Sequence, residues 1–161
     1  KIRSIRVHGE GKDKYDNIRI GLNSRLDTIQ AIVLIEKMKI FDKEIKLRNK
    51  IATYYSSNLN KYVKVPKVLD NNTSSWAQYS IIVKNKERDE LVNYLQNNGI
   101  PTAVFYKKPF NLLKLYNHEN NKLNFDISIR LSKTILSLPM HPYLNQLELD
   151  EIINTIIKFY E

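Results

Sequence analysis

Three sets of side chains are of the types that carry out chemistry in proteins. The stretch GEGK at residues 9–12 is superficially similar to a phosphate-binding loop, but the glycine spacing is too short and no serine or threonine follows Lys12. The three histidines, His8, His118 and His141, are far apart and lack the spacing that places two zinc ligands on one helix face. The many Ser, His and Asp residues could be imagined as a hydrolytic triad, but no Gly-x-Ser-x-Gly nucleophile turn is present to anchor it. The sequence therefore predicts neither a P-loop, nor a zinc site, nor a hydrolytic triad.

Basic side chains outnumber acidic ones and give a net charge of +9, from 26 Lys and Arg and 17 Asp and Glu. Residues 1–50 hold 13 of the basic and 7 of the acidic residues, a local excess of +6. Nucleic acid, an anionic membrane surface and a phosphorylated small molecule all attract such a segment. Several of the ten tyrosines lie near basic residues, as a base-stacking surface requires, although tyrosines also occupy core rims. Charge alone leaves these partners open.

The composition is that of one folded, water-soluble domain. The chain has 161 residues, of which 42% are hydrophobic, and a domain of this size buries roughly two thirds of its unfolded surface. No apolar run approaches the about 20 residues that cross a bilayer. The chain has no cysteine, which suits a reducing compartment, and we expect a cytoplasmic protein.

A long helix is predicted after the basic opening segment. Residues 1–25 hold three of the four glycines and no helical period, so we interpret them as a connector with a short extended piece. The sequence SRLD at residues 24–27 matches a capping box and predicts a helix over residues 26–59. Apolar residues recur every three or four positions, with Arg48 the one exception. This stripe suits packing on the domain's own core, or a partner helix, and the length favours a dimer contact. Its members are Ala31, Leu34, Met38, Phe41, Ile45, Arg48, Ala52, Tyr55 and Leu59.

The remainder of the chain predicts alternating strands and helices. Strands are expected at residues 76–83, 102–106 and 135–138, and a helix at 87–98 that Gly99 and Pro101 end. Residues 145–148 (NQLE) match a capping box for a last helix, whose buried positions are Leu149, Ile152, Ile153 and Ile156. The order strand, helix, strand indicates a βαβ-like or split βαβ unit and an α/β or α+β fold.

Three motifs resemble the DegT/DnrJ/StrS family of pyridoxal-phosphate-dependent sugar aminotransferases, and together they cover nearly the whole chain. The first is RVHG at residues 6–9, followed by GLNSRLD at 21–27 and QA at 30–31. The second is GIPTAVFYKKPFNL at 99–112, in which Asn111 replaces the family's usual histidine and Lys107 a common proline. The third is LSLPMHP at 136–142.

The resemblance implies the small C-terminal domain of a type I, aspartate aminotransferase-like fold. Residues 1–25 would connect it to a large domain that binds pyridoxal phosphate, and residues 26–161 would form the small domain, with an interface helix at 26–59. The catalytic lysine would precede Lys1, so this chain by itself is expected to be inactive. The parent would be a homodimer that aminates a nucleotide-linked keto-sugar, with glutamate as the amino donor. Such sugars serve lipopolysaccharide, surface polysaccharide or antibiotic synthesis.

The resemblance also assigns site residues by their match to the motifs. Asn23 resembles an asparagine that donates its amide to the phosphate of the partner subunit's cofactor, and Arg25 lies close enough in sequence to add positive charge. His8, Tyr106 and Asn111 are expected near the sugar substrate. Two other functions stay open, namely a dehydratase or regulator with the same fold, and a nucleic-acid-binding module built on the basic residues 1–50.

Overall fold

The computed structural model describes residues 1–84, 86–116 and 124–161. The chain divides into two compact units, a first unit of residues 1–42 and a second unit of residues 43–161. His118, one of the three histidines considered as metal ligands, lies outside the described residues. The helices are α1 (Ile2–Ile5), α2 (Thr28–Leu59), α3 (Glu87–Asn97), α4 (Asp126–Thr134) and α5 (Gln146–Tyr160), the strands are β1 (Tyr79–Ile82) and β2 (Ile135–Leu138), and 3-10 turns occupy Phe110–Leu112 and Lys114–Tyr116.

The opening segment folds back on itself through two isolated antiparallel bridges. Val7 pairs with Asn23, and Glu10 pairs with Asn17. The one-turn helix α1 precedes them, and the sequence does not predict it because four residues are too few to show a helical period. The extended piece expected in this segment is present as these bridges. The domain boundary predicted after Arg25 stays a prediction.

Helix α2 begins at Thr28, so the capping box predicted at residues 24–27 is wrong. The N–H of Ser24 is already paired with the carbonyl of Arg6 at 2.9 Å, which holds this residue in the bridge. The cap lies three residues later, where the Asp27 N–H donates to Oε1 of Gln30 at 3.1 Å. The helix ends at Leu59, as predicted.

The apolar stripe of α2 is buried only in its C-terminal half. Within the second unit, Ala52, Tyr55 and Leu59 belong to the core. Within the first unit, Leu34 is 51% and Met38 68% exposed, so this half of the stripe is not covered by a core of the described chain, and a partner face for it stays a prediction. Arg48, the one charged member of the stripe, donates hydrogen bonds to two loops of the second unit.

The core of the second unit lies between a small antiparallel sheet and the helices. Strands β1 and β2 pair antiparallel, with Tyr79 opposite Leu138 and Ile82 opposite Ile135. The strand predicted at residues 76–83 is shortened to β1. Its first predicted residue, Trp76, has a left-handed backbone, φ 48°, which a regular strand does not contain. The core residues include Ile51, Tyr55, Leu59, Ile81, Leu91, Leu95, Leu136, Leu149, Ile152, Ile153 and Ile156.

The strand predicted at residues 102–106 is reduced to one bridge, between Ala103 and Ser137. Pro101 supplies no N–H to extend the pairing, and Phe105 and Tyr106 are exposed. Ser137 pairs with Ala103 on one side and with Ser80 on the other. Strand β1, before α3, and the segment around Ala103, after α3, therefore both run antiparallel to β2, which lies between them. This is the predicted split βαβ arrangement, with its third strand reduced to one bridge.

The helices of the second unit largely follow their sequence signals. Helix α3 ends at Asn97, and Gly99 takes the predicted left-handed conformation, φ 75°. Asn145 and Glu148 form the predicted capping box of α5, with hydrogen bonds of 3.0 and 2.8 Å. Helix α4 is not among the predicted elements. In the described part of the chain, no helix combines the length and apolar character needed to cross a membrane.

Candidate functional site

The pairing of residues 6–8 with 22–24 positions the first candidate side chain, Asn23. The Ser24 N–H donates to the Arg6 carbonyl and the His8 N–H to the Leu22 carbonyl, each at 2.9 Å. These two bonds flank Val7 and Asn23, which therefore form a non-hydrogen-bonded antiparallel pair with their side chains on one face. Asn23 is thus placed by pairing across a loop and not by a helix.

Two glycines permit this pairing. His8 and Gly9 both have left-handed backbones, with φ of 58° and 76°. A Cβ on Gly9 would lie 1.7 Å from the carbonyl oxygen of Arg19, and a Cβ on Gly21 would lie 2.0 Å from the backbone nitrogen of Gly9. No side chain fits at either position, because the two strands of the loop approach within the space that a methyl group needs.

The side chains of Asn23 and Arg25 are free to bind an external group. Both residues are exposed, and within the described residues neither side chain forms a hydrogen bond or an ion pair. The Arg25–Asp27 salt bridge that would give Arg25 a purely local role is therefore not formed here. The segment itself is held by Arg6, whose Nε donates to the Ser24 carbonyl at 3.2 Å.

The charge around this loop is positive. Residues 1–25 contain seven Lys and Arg and three Asp and Glu, an excess of +4. An amide N–H donor and a guanidinium two residues apart, in a positive field and without internal partners, suit an anionic oxygen such as that of a phosphate. The donor set present therefore fits the phosphate of the expected cofactor.

His8 shares this loop but uses its backbone for structure. Its carbonyl accepts a hydrogen bond from Nδ2 of Asn17 at 3.1 Å, and its N–H pairs with Leu22. The residue is exposed, so its ring is accessible to a ligand. The structure thus brings His8, Asn23 and Arg25 into one folded loop of the first unit.

Tyr106 and Asn111 belong to the second unit. Tyr106 follows the Ala103 bridge and is 76% exposed. Asn111 is half-buried within the 3-10 turn Phe110–Leu112, beside the aromatic pair of Phe110 and Tyr116, whose ring centroids are 4.6 Å apart. Among the described residues no group of three or more His, Cys, Asp or Glu could hold a metal ion.

Raised tyrosine pKa values mark the core and not the candidate site. Burial raises the pKa of the Tyr55 hydroxyl well above its usual range and, to a smaller extent, that of Tyr79. The Tyr55 hydroxyl donates to the Pro139 carbonyl at 3.1 Å, and Tyr79 and Ser56 share a hydrogen bond of 2.8 Å. These hydroxyls stay protonated at neutral pH and act as structural donors.

Arg48 is a residue whose role the sequence pattern misses. Its Nη1 donates to the carbonyls of Trp76 and Met140 at 2.9 and 3.1 Å, which joins two loops of the second unit to α2. The neighbouring Asn49 donates to the Ser74 carbonyl and accepts from Nε1 of Trp76. The only signal in the sequence is a cation within an apolar stripe. Such a cation indicates that the side chain has polar partners inside the fold, but it does not indicate which groups they are.

Comparison with protein families gives a match over almost all of the chain. The sequence model of the DegT/DnrJ/EryC1/StrS aminotransferase family matches residues 1–157. A UDP-2-acetamido-2-deoxy-3-oxo-D-glucuronate aminotransferase of Pseudomonas aeruginosa is 40% identical over 145 residues, which are 89% of this chain and 39% of the relative. A dTDP-3-amino-3,6-dideoxy-alpha-D-galactopyranose transaminase of Aneurinibacillus thermoaerophilus is 30% identical, over 99% of this chain and 43% of its own.

A further relative is named as a regulatory protein and not as an aminotransferase. The pleiotropic regulatory protein of Geobacillus stearothermophilus is 34% identical over 99% of this chain and 44% of its own length. The chain thus spans about two fifths of the length of the relatives it matches.

Solved structures show the same fold. A DegT DnrJ EryC1 StrS aminotransferase from Brucella abortus superposes with a TM-score of 0.89 and 46% identity, over 98% of this chain and 42% of its own. DesV of S. venezuelae, solved with a ketimine intermediate, gives a TM-score of 0.86 and 27% identity, over 99% of this chain and 43% of its own. The expected fold class, helices with a small sheet as part of an aminotransferase, is confirmed.

Proposed function

The chain belongs to the DegT/DnrJ/EryC1/StrS aminotransferase family, and we propose that it is the C-terminal part of an enzyme that aminates a nucleotide-linked keto-sugar. The observation that carries this proposal is the 40% identity to an aminotransferase whose named substrate is a UDP-linked oxo-sugar acid. A second relative is named as the transaminase of a dTDP-linked sugar. We propose that the product enters lipopolysaccharide, surface polysaccharide or antibiotic sugars, and that the enzyme works in the cytoplasm.

Pyridoxal phosphate is the cofactor of this family. When bound, it supplies an electron sink for the exchange of an amino group between two carbon atoms. The part of this chain that fits its phosphate is the loop that holds Asn23 and Arg25. We propose that a large domain carries the catalytic lysine, and we propose that the present chain by itself is inactive.

Asn23 is proposed to donate its Nδ2–H to a phosphate oxygen, and Arg25 to add a positive charge beside it. A hydrogen bond to an ionised phosphate is about twice as strong as one between neutral groups. Arg6 keeps the donor in place, since its Nε holds the Ser24 carbonyl next to Asn23. The steric fit of Gly9 against Gly21 fixes the opposite side of the loop.

A homodimer would explain why these donors are exposed and have no partner among the described residues. The first-unit half of α2 is apolar and exposed over Ile29, Ile32, Leu34, Ile35 and Met38, among others. We propose that the partner subunit and the large domain cover this face, and that Asn23 then reaches the cofactor of the partner subunit. The proposal that α2 is an interface helix rests on the exposure of these apolar side chains.

The remaining candidate residues are proposed to contact the substrates. Tyr106 is exposed. Asn111 carries an amide at the position where the motif resemblance implies a histidine, and this amide can donate or accept a hydrogen bond with a sugar hydroxyl. His8, in the first unit, is proposed separately as a substrate contact. Glutamate is proposed as the amino donor.

The test is cofactor binding by the protein at the full length of its relatives. Added pyridoxal phosphate is expected to give a visible absorption band when it attaches to a lysine. Asn23→Ala is expected to weaken cofactor affinity by about tenfold, the equivalent of one charge-assisted hydrogen bond. Asn93→Ala, an exposed asparagine on α3, serves as the matched control. Absence of the band in the intact protein would defeat the proposal.

A second candidate function is regulation or dehydration on the same fold. The 34% identity to a pleiotropic regulatory protein favours the regulatory role, and dehydration stays an alternative from the motif resemblance alone. A regulator would bind the nucleotide sugar or the cofactor without turnover. Steady release of 2-oxoglutarate from glutamate in the presence of a keto-sugar nucleotide separates the aminotransferase from both alternatives.

A further inference from the structure

A basic groove of about 480 Å³ lies beside the end of β1 in the second unit. Residues 60–64 and 82–84 line it, and three of these eight residues are lysines, Lys61, Lys64 and Lys84, whereas none is acidic. We infer that this groove binds a small oxyanion that carries two or more negative charges. The inference goes beyond the proposed function, since the groove contains none of the residues proposed above to contact the cofactor or the substrates.

The pairing of two segments places the lysines on one face. Lys64 and Ile82 exchange backbone hydrogen bonds, N–H to carbonyl in each direction, at 2.9 Å. Side chains alternate between the two faces of a strand, and Val63 and Val83 are buried in the core. Lys84, two residues after Ile82, therefore lies on the same outer face as Lys64. Diagonal neighbours of this kind lie about 7–8 Å apart, so two lysine side chains can reach one anion.

The lysines of the groove have no internal counter-charge. All three are exposed, and within the described part of the chain none forms an ion pair or a side-chain hydrogen bond. The segments 60–67 and 76–86 together hold five lysines and no acidic residue. The Glu161 side chain reaches Tyr62, but its Oε1 accepts from the Tyr62 hydroxyl at 3.3 Å. Like charges held close together repel each other, and one bound dianion offsets the repulsion among several lysines.

The general roles of surface lysines account for single members of the set. A lysine after the C-terminus of a helix interacts favourably with the helix dipole, which explains Lys61, two residues after the end of α2. A lysine on an edge strand hinders pairing with a further strand, which explains Lys64. Lys84 has neither position, because it follows β1, which lies between the Lys64 segment and β2. A bound anion gives all three lysines a common role.

The lining suits a small anion and not a nucleic acid. Grooves that bind single strands present aromatic rings on which successive bases stack. The lining of this groove, as described, holds one aromatic residue, Tyr62, and its ring is already stacked on Tyr160 with the centroids 6.1 Å apart. The remaining polar residue, Asn60, is exposed and carries an amide that can donate to an oxygen atom. Ammonium and amide donors around a small volume match phosphate or carboxylate oxygens.

The experiment is an NMR titration of the ¹⁵N-labelled chain with inorganic pyrophosphate and with citrate, each to about 10 mM. Sodium chloride keeps the ionic strength constant, and chloride alone serves as the reference titration. The backbone signals of Lys61, Lys64 and Lys84 are expected to shift and to saturate with a multiply charged anion but not with chloride. Tighter binding of pyrophosphate identifies a phosphate as the ligand, and tighter binding of citrate identifies a carboxylate; either result supports the inference.

Substitutions test whether the lysines of the groove hold the anion. Lys64→Met and Lys84→Met should each weaken anion binding about threefold, which is typical of one exposed charge pair. The triple variant that also carries Lys61→Met should weaken binding at least about tenfold. Unchanged signals of the core residues Tyr79 and Leu136 show that a variant is folded. If the triple variant does not fold, the two single variants decide.

The matched control removes the same charge elsewhere on the second unit. The triple variant Lys43→Met, Lys46→Met, Lys50→Met replaces three exposed lysines of α2 and lowers the net charge by the same amount. Its affinity for the anion should equal that of the unmodified chain. Equal weakening by the two triple variants would show that the anion responds only to the total charge, and the inference would then fail. Absence of saturable shifts at the groove with both anions would overturn it as well.

Discussion

Gly9 and Gly21 lie so close together that a Cβ on Gly21 would be 2.0 Å from the Gly9 nitrogen and 2.3 Å from the His8 carbonyl carbon. This contact brings residues 6–8 alongside residues 22–24, and hence places Asn23 opposite Val7. The candidate phosphate donor therefore depends on the absence of a side chain two residues before it.

Gly21→Ala is expected to open this loop. The added methyl group meets backbone atoms, which cannot rotate away, so the paired segments must separate at a cost of about 1–3 kcal/mol. Hydrogen exchange measures the change, since the N–H groups of His8, Leu22 and Ser24 are all paired across the loop. These three amides should lose protection in the variant.

Gly99→Ala is the matched control for this prediction. Nothing lies within 4 Å of a Cβ at this position, but its φ of 75° disfavours alanine. We expect a loss of about 1 kcal/mol in global stability, with no change in the exchange of the loop amides. Retained protection at His8 and Ser24 in Gly21→Ala would show that the glycine contact does not hold the loop.

Arg48→Met is expected to destabilise the second unit by about 1–3 kcal/mol. The substitution keeps the apolar stem but removes the donors to the Trp76 and Met140 carbonyls. Chemical denaturation measures the change, and Lys46→Met, two residues earlier and exposed, is the control. Equal stability of the two variants would contradict a fastening role for Arg48.

Tyr55→Phe and Tyr160→Phe are expected to differ in stability although each removes one hydroxyl. The Tyr55 hydroxyl is bonded to the Pro139 carbonyl, so its loss should cost about 1 kcal/mol. The Tyr160 hydroxyl is buried with no hydrogen-bond partner in the described structure, so its removal should cost nothing or stabilise. Thermal unfolding at neutral pH distinguishes the two; a larger loss for Tyr160→Phe would contradict the assignment.

Tyr160 also predicts a loss of stability in alkali. Burial, followed by the nearby Glu87 carboxylate, raises the pKa of its hydroxyl from 10.0 to about 12. Because the folded state then holds the proton more tightly, this contribution is fully present below pH 10.0, and it is lost as the pH rises to about 12. Denaturation across this window should show a smaller fall in stability for Tyr160→Phe than for the unmodified chain, and equal falls would refute it.

The exposed half of α2 predicts self-association of the isolated chain. Leu34 and Met38 are 51% and 68% exposed, one turn apart on the helix. The double variant Leu34→Glu, Met38→Glu should sediment closer to a monomer and bind less of an apolar-surface dye than the unmodified chain. Leu147→Glu, on an apolar side chain of α5 that is 80% exposed, is the control and should change neither. A monomeric unmodified chain without dye binding would contradict the prediction.

Local signals in the sequence determined the elements whose causes are themselves local. The capping box of Asn145 and Glu148 and the glycine that ends α3 both follow from residues a few positions apart. Membership of the aminotransferase family could be predicted from the sequence for the same reason, because the motifs of the family are short and contiguous. The identity of Asn23 and Arg25 as candidates came from such a motif.

Tertiary structure decided the features that depend on residues far apart in the chain. The true start of α2 is set by the pairing of Ser24 with Arg6, and the reduction of the third strand by the lone pairing of Ala103 with Ser137. The stripe of α2 has one period throughout, yet only its second half meets a core. Periodicity specifies which side chains share a face, whereas burial depends on what other part of the chain reaches that face, and no local pattern contains that information.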